Sequence, residues 1–195
     1  MEKFTVHQGT PMPIMNDDID TDQLLPKQFL KRLTKRGYGD VLFYEWRYQA
    51  DGVTPQENFI LNEPARQQAS ILITGDNFGI GSSREHAVWA LRDWGFKAII
   101  AGSFGPILYM NCTKNGVLPI ELEQAARETL SELPPTAKVT IDLVHQTVKC
   151  GALSWKFTIN PAWKEKFLKG EDDIDQTMKF ADQIAAYEAQ MSPYQ

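Results

Sequence analysis

The stretch Ser70-Ile71-Leu72-Ile73-Thr74-Gly75-Asp76-Asn77-Phe78-Gly79-Ile80-Gly81-Ser82-Ser83-Arg84-Glu85-His86-Ala87 decides the fold class. Its opening run is apolar and largely β-branched, the pattern of a strand buried on both faces. Glycine punctuation follows. From residue 84 to 94 apolar residues return at helical spacing, and Gly95 stops them. Residues 97–101 read as a second strand. Strand, helix and strand in such close succession form a β-α-β unit, whose two strands run parallel.

The alternation continues toward the C-terminus. Ser103 is placed to cap a helix running through Leu108 and Met110 to Asn115-Gly116, and Val117-Leu118-Pro119-Ile120 repeats the strand pattern. Residues 121–133 are helical in composition. Residues 139–144, 147–150 and 155–159 read as antiparallel strands, Asn160-Pro161 opens a helix closed by Gly170, and 176–191 carries the period of one more helix. Toward the N-terminus, residues 4–15 alternate like one or two strands and lead into the acidic loop Asn16-Asp17-Asp18-Ile19-Asp20-Thr21-Asp22. Pro26 then precedes a short helix that ends near Gly37. Residues 37–64 are irregular around the aromatic patch Phe43-Tyr44-Glu45-Trp46-Arg47-Tyr48, which predicts a long, partly mobile loop region. The whole is one α/β domain with a mixed sheet and flanking helices.

Composition narrows the function classes. With 195 residues, 43% of them hydrophobic, the chain is long enough for one well-cored domain. A net charge of −5 opposes binding to a phosphate backbone, so nucleic acid is not an expected partner. No apolar run approaches the length of a membrane span and the start lacks a signal-peptide core, so a soluble, cytoplasmic chain is expected. Cys112 and Cys150 stand far apart without Cys-x-x-Cys spacing, which argues against a disulfide framework or a self-contained zinc or iron–sulfur site. No metal ligands are assigned in this chain.

The chemistry points to residues 75–87. A glycine-rich turn at a strand's carboxyl end is where open α/β sheets bind ligands, and the N–H groups of the following helix attract an anion. Arg84 adds a fork suited to carboxylate or phosphate. The loop is not a Walker A, because Ile80 follows Gly79 where Lys is required. It is not a dinucleotide fingerprint either, because Arg84 occupies the third glycine position. Ser82-x-x-Glu85 fits a capping box, a structural reading as strong as catalysis when taken alone. The competing reading makes Ser82 or Ser83 a base or nucleophile. A serine hydrolase is disfavoured: there is no G-x-S-x-G elbow, and His86 follows Ser82 on the same helix. Asp18, Asp20 and Asp22 imitate a calcium loop whose glycine and terminal glutamate positions hold Gln23 and Phe29, so a carboxylate supporting a neighbouring loop is preferred. Lys31, Arg32, Lys35 and Arg36 beside Gly37-Tyr38-Gly39 form either a solvated face or a lid that steers an anion.

With these residues in view, the sequence resembles the 3-isopropylmalate dehydratase small-subunit family of the aconitase superfamily. The resemblance rests on residues 77–87, on Asp20-Thr21-Asp22 with Leu25-Pro26-Lys27-Gln28-Phe29-Leu30, on Leu42-Phe43-Tyr44-Glu45-Trp46-Arg47, on Asn115-Gly116-Val117-Leu118-Pro119 and on Asp172-Asp173-Ile174. Ile80 and Val88 depart from the common pattern without touching a catalytic group, and Gly105-Pro106 replaces a more helix-friendly pair.

The resemblance implies a three-layer β/β/α swivelling domain over 1–195, with a mobile region at about 31–64. It implies a large-subunit partner in a heterodimer, with a [4Fe-4S] cluster on that partner and no cofactor in this chain. Ser82 is then the catalytic base, Ser83 and Arg84 bind a substrate carboxylate, and Asp22, Gly79, Gly81, Glu85 and His86 support them. Leu33, Lys35, Arg36 and Tyr38 belong to the loop that selects the substrate's side group. The implied reaction interconverts 2-isopropylmalate and 3-isopropylmalate through isopropylmaleate in leucine biosynthesis, the metal acting as Lewis acid on the leaving hydroxyl while the serine takes a proton. The alternatives are a related hydratase of homoaconitase or methylmalate type and a non-enzymatic anion-binding module.

Overall fold

The computed structural model describes residues 1–31 and 34–191. Among them, eight strands form two four-stranded sheets: β1 (Val6–Gly9), β2 (Pro11–Ile14), β3 (Ile71–Thr74), β4 (Ala98–Ala101), β5 (Leu118–Glu121), β6 (Val139–Asp142), β7 (Thr147–Cys150) and β8 (Leu153–Lys156). The helices are α1 (Thr21–Leu24), α2 (Tyr44–Arg47), α3 (Glu85–Trp94), α4 (Pro106–Asn115), α5 (Gln124–Ser131), α6 (Pro161–Lys169), α7 (Asp173–Met178) and α8 (Ala181–Glu188).

Both strand directions of the mixed reading are present, but they segregate. β2-β3-β4-β5 is wholly parallel and β1-β6-β7-β8 wholly antiparallel. Alternation along the parallel strands explains the layering. Ile71 and Ile73 of β3, Ala98 and Ile100 of β4, and Leu118 and Ile120 of β5 face one core with Val139, Ile141 and Val148 of the antiparallel sheet. Met12, Ile14, Leu72, Ile99 and Ala101 face the opposite core with Ala87, Val88 and Leu91 of α3 and Leu108 and Cys112 of α4. The order is therefore sheet, sheet, helices. Prolines sit on both edges of the parallel sheet, Pro11 and Pro13 on β2 and Pro119 on β5, where a missing donor is tolerated.

Several boundaries differ from the sequence reading for local reasons. The short helix after Pro26 is one 3₁₀ turn over Lys27–Phe29. Ser103 does not cap α4: its hydroxyl accepts the Asn77 amide at 2.8 Å, and α4 starts with Pro106 at its first position. Glu121 ends β5 instead of opening α5. The expected terminal helix is split into α7, opened by a capping box between Asp172 and Asp175, and α8. Residues 38–64 pack as short turns: Tyr38, Leu42, Phe43 and Leu61 are fully buried. Arg47, also buried, donates to the Gly39 and Asp40 carbonyls at 3.1 and 3.0 Å and to Asn62 Oδ1 at 3.2 Å. No helix among the described residues is long and apolar enough to cross a membrane.

Candidate active site

The parallel sheet delivers the chain to residue 75 at its carboxyl edge. The next seven residues are fixed almost one by one. The Asn77 amide is held by Ser103 Oγ, and the Phe78 amide donates to the Ser103 carbonyl at 3.0 Å. The Gly79 amide donates to the Ile19 carbonyl at 2.6 Å, and the Ile80 carbonyl accepts the Thr21 amide at 3.0 Å. Gly79 takes a φ of +73°, and a Cβ there would collide with Leu108. Gly105 brings α4 close from the other side, and a Cβ on it would lie 2.5 Å from the Gly79 carbonyl.

Past this fixed segment, Gly81 (φ +93°) turns Ser82 and Ser83 into solvent. The Ser82 carbonyl accepts the Thr21 hydroxyl at 2.9 Å. Among the described residues neither serine hydroxyl has a hydrogen-bond partner. The capping box expected of Ser82-x-x-Glu85 does not form. α3 begins at Glu85 with Arg84 as its flanking residue and no side-chain cap; the Ala87 amide donates to the Arg84 carbonyl at 3.2 Å, and the Glu85 and His86 amides stay open at the loop. Glu85 instead accepts from Asn115 Nδ2 at 2.9 Å and Trp89 Nε1 at 3.3 Å.

Arg84 pairs with Asp22 and reaches the Leu25 carbonyl at 3.4 Å. Its side chain is 13% exposed against 52% for Asp22, so the guanidinium is largely backed by protein while its carboxylate partner faces solvent. The carboxylates of the acidic loop diverge. Asp18 Oδ1 accepts from Asn77 Nδ2 at 2.7 Å, Asp20 caps α1 by accepting the Gln23 amide at 2.7 Å, and Asp22 turns to Arg84. They do not converge as calcium ligands.

The other expected site residues lie elsewhere. Tyr38 is fully buried in this structure, its ring 5.7 Å from that of His86 and 5.9 Å from that of Trp89, and it does not face the loop opening. His86 packs at 4.5 Å on Trp89 and so supports the start of α3 through ring contacts. Lys35 Nζ sits 4.9 Å from the Trp89 ring centre, and with Arg36, Arg92 and Asp93 it lines a cleft of about 270 Å³ along α3, beyond its first turn. Leu33 lies outside the described residues. Of the remaining histidines, His7 meets Ser70 Oγ at 2.8 Å and His145 meets Asp142 at 2.7 Å, so neither serves Ser82 as a hydrolase base.

Sequence reasoning singled out Asp20-Thr21-Asp22 but did not assign Thr21 to the Ser82 carbonyl or Asp20 to the cap of α1, although Asp20-x-x-Gln23 is itself a readable capping pattern. It also overlooked Arg127 on α5, for which no local signal exists. The chain does not fit an iron–sulfur cluster. Among the described residues no three His, Cys, Asp or Glu side chains gather as a ligand set. Cys112 is fully buried, and that burial pushes its thiol far up, away from the thiolate a cluster needs.

Residues 1–125 match the model of the aconitase C-terminal domain, and residues 173–195 match the model of the C-terminal domain of the 3-isopropylmalate dehydratase small subunit. The chain is similar to the 3-isopropylmalate dehydratase small subunit of Limosilactobacillus fermentum, 76% identical over the full length of both chains. It is similar to that of Oenococcus oeni, 52% identical over 98% of each chain. Its fold matches the solved 3-isopropylmalate dehydratase of Methanocaldococcus jannaschii with a TM-score of 0.66 and 25% identity, covering 94% of this chain and 99% of that one.

Proposed function

This chain belongs to the 3-isopropylmalate dehydratase small-subunit family, hydro-lyases of leucine biosynthesis in the aconitase superfamily, and from that premise we propose that its residues 79–84 present the catalytic base and the carboxylate-binding arginine. The observation that carries this reading is the unpartnered Ser82 hydroxyl on a residue whose carbonyl is held by Thr21, directly after a segment fixed from both sides. Such a hydroxyl is pre-positioned and has no competing acceptor within the described residues. Ser82 Oγ takes the proton from the carbon next to the one that loses hydroxide, and returns it when water adds back in the other regiochemistry. The open amides of α3 stabilise the serine oxygen as an anion. Arg84, held by Asp22, offers its remaining donors to a substrate carboxylate, with Ser83 beside it. Gly79 and Gly81 supply backbone that no other residue adopts cheaply.

The "small subunit" of the relatives' names implies a large-subunit partner. We place the [4Fe-4S] cluster on that partner in a cytoplasmic heterodimer, with an isopropylmalate-type hydroxy-dicarboxylate as substrate. Residues 1–195 act there as one swivelling domain, with the 33–38 segment, through Leu33, Lys35 and Arg36, contributing to selection of the side group. The test is reconstitution. Mixed with a cluster-bearing large subunit, the chain should convert 2-isopropylmalate to 3-isopropylmalate in preference to homologous hydroxy-acids, and alone it should convert neither. Equal turnover of all such acids would favour a related hydratase, and no turnover by a correctly assembled complex would favour an anion-binding module.

A further inference from the structure

We propose that Arg127 is a positioning residue for Ser82 and Arg84: it is the counter-ion that lets the carboxylates of Asp17, Asp18 and Asp76 share the seam where the acidic loop lies on the glycine loop. The proposal rests on the reading of Ser82 and Arg84 given above.

The seam is dense. Asp17 Oδ1 accepts the Asp76 amide at 2.6 Å, the Asp18 amide donates to the Asp76 carbonyl at 2.9 Å, and Asp18 Oδ1 takes Asn77 Nδ2. Three carboxylates thus crowd onto two apposed turns. Among the described residues, Arg127 is the only cation in ion-pair contact with any of them, its Nη2 lying 2.5 Å from Asp76 Oδ1. Its side chain is 5% exposed. The other guanidinium nitrogens are spent on the Thr74 carbonyl at 3.0 Å and the Leu122 carbonyl at 3.1 Å, which fix the charge beneath the loop. The guanidinium is buried while the Asp76 side chain is 60% exposed, so the pair spans the protein–water boundary and is screened less than one exposed on both sides. Gly102 leaves room for the pair, because a Cβ there would collide with both the Asp76 carboxylate and the Arg127 guanidinium.

Two routes lead from this seam to the serine. One follows the chain from Asp76 to Ser82. The other crosses the acidic loop to Thr21 and Asp22, which hold the Ser82 carbonyl and the Arg84 side chain. Without the cation, repulsion among the three carboxylates separates the loops and moves both routes together.

The test uses the enzyme assembled with its large subunit, and amide exchange of the free chain as a readout independent of turnover. Arg127→Met should raise exchange across 16–22 and 76–84 about tenfold and lower kcat on the order of 10–10²-fold. Adding Asp76→Asn should recover at least half of each change on a logarithmic scale, because deleting the uncompensated carboxylate replaces the missing cation. A lost packing contact is not repaired that way. Should Arg127→Met fail to fold, Asp76→Lys, made at an exposed side chain, sets two cations against each other and should reproduce both changes. A double variant no better than Arg127→Met, or parent behaviour from Asp76→Lys, overturns the proposal. Raised exchange with unchanged kcat also overturns it, by severing the seam from catalysis. Ser82→Ala run in parallel tells this failure apart from failure of the base reading, since parent turnover there removes the base without altering the exchange results.

Discussion

Asp20 and Ser82 stand across one narrow seam, and both carry the sequence pattern of a capping box. At Asp20 the box closes: its carboxylate takes the Gln23 amide and Gln23 Oε1 takes the Asp20 amide at 2.8 Å. At Ser82 it stays open, because Glu85 is drawn to Asn115 and Trp89 and the cap position of α3 falls at Arg84, two residues beyond Ser82. The same local chemistry is used for structure on one side and left free on the other. The difference lies in what surrounds each pair, since Asn115 arrives from the end of α4, far along the sequence.

The strongest way to break this contrast is Ser82→Ala. It should lower kcat on the order of 10²–10⁴-fold in the assembled enzyme. Because no cap is lost, stability should stay within about 0.5 kcal/mol of the parent. Turnover and melting temperature on one sample check both halves, and a large loss of stability with near-parent kcat would restore the capping reading.

Arg84→Lys sharpens what the open side is for. An ammonium keeps the charge but cannot hold Asp22 and a substrate carboxylate with one planar fork. A fall in kcat/KM on the order of tenfold is expected, carried more by KM than by melting temperature. Parent kinetics would reduce Arg84 to decoration of a helix start.

Asp20→Ala tests the closed side and should reverse the pattern, with about 1 kcal/mol lost from stability and a smaller effect on turnover than Ser82→Ala. Denaturant melts beside initial rates measure it. If Asp20→Ala abolishes turnover while the fold persists, the two sides of the seam are not functionally separate.

The smallest effect lies away from the seam and calibrates it. Burial holds the His7 imidazole below its ordinary range, beside Ser70. The folded chain therefore resists a proton that the unfolded chain accepts. This contribution to stability is present above about pH 6.5 and is lost as pH falls through the lower folded value. His7→Gln should flatten the melting-temperature profile below neutrality while leaving the Ser82 contrast intact.

Much of the fold was legible because its signals are local. The apolar run 71–74, the stops at Gly95, Gly116 and Gly170, and the Asn160-Pro161 start each act within a few residues. The two sheet layers followed from the family resemblance, but the segregation of parallel from antiparallel strands was not legible in the residues themselves. It depends on Thr10, where the chain leaves one sheet for the other and the Thr10 carbonyl receives the Ser70 and Ile71 amides at 3.2 and 3.3 Å. Nothing at Thr10 announces that change. Of the candidate site, residues 77–87 stood out through glycine spacing. Tyr38 was assigned through the resemblance to the loop that selects the side group, whereas packing on α3 buries its ring. Arg127 was invisible, since a cation on an amphipathic helix ordinarily belongs to the solvent side.

The pairing of β1 with β6, Val6 opposite Asp142, bears on how the chain is made. At ribosomal speeds of about 5–20 residues per second, the first strand emerges roughly seven to thirty seconds before its partner exists. The parallel sheet and its helices lie between them in sequence, so they can assemble while β1 waits with an unpaired edge. Val6, 57% exposed even in the finished fold, and the polar residues His7 and Gln8 keep that waiting strand weakly adhesive. The antiparallel sheet therefore cannot close until residues 139–156 have been made.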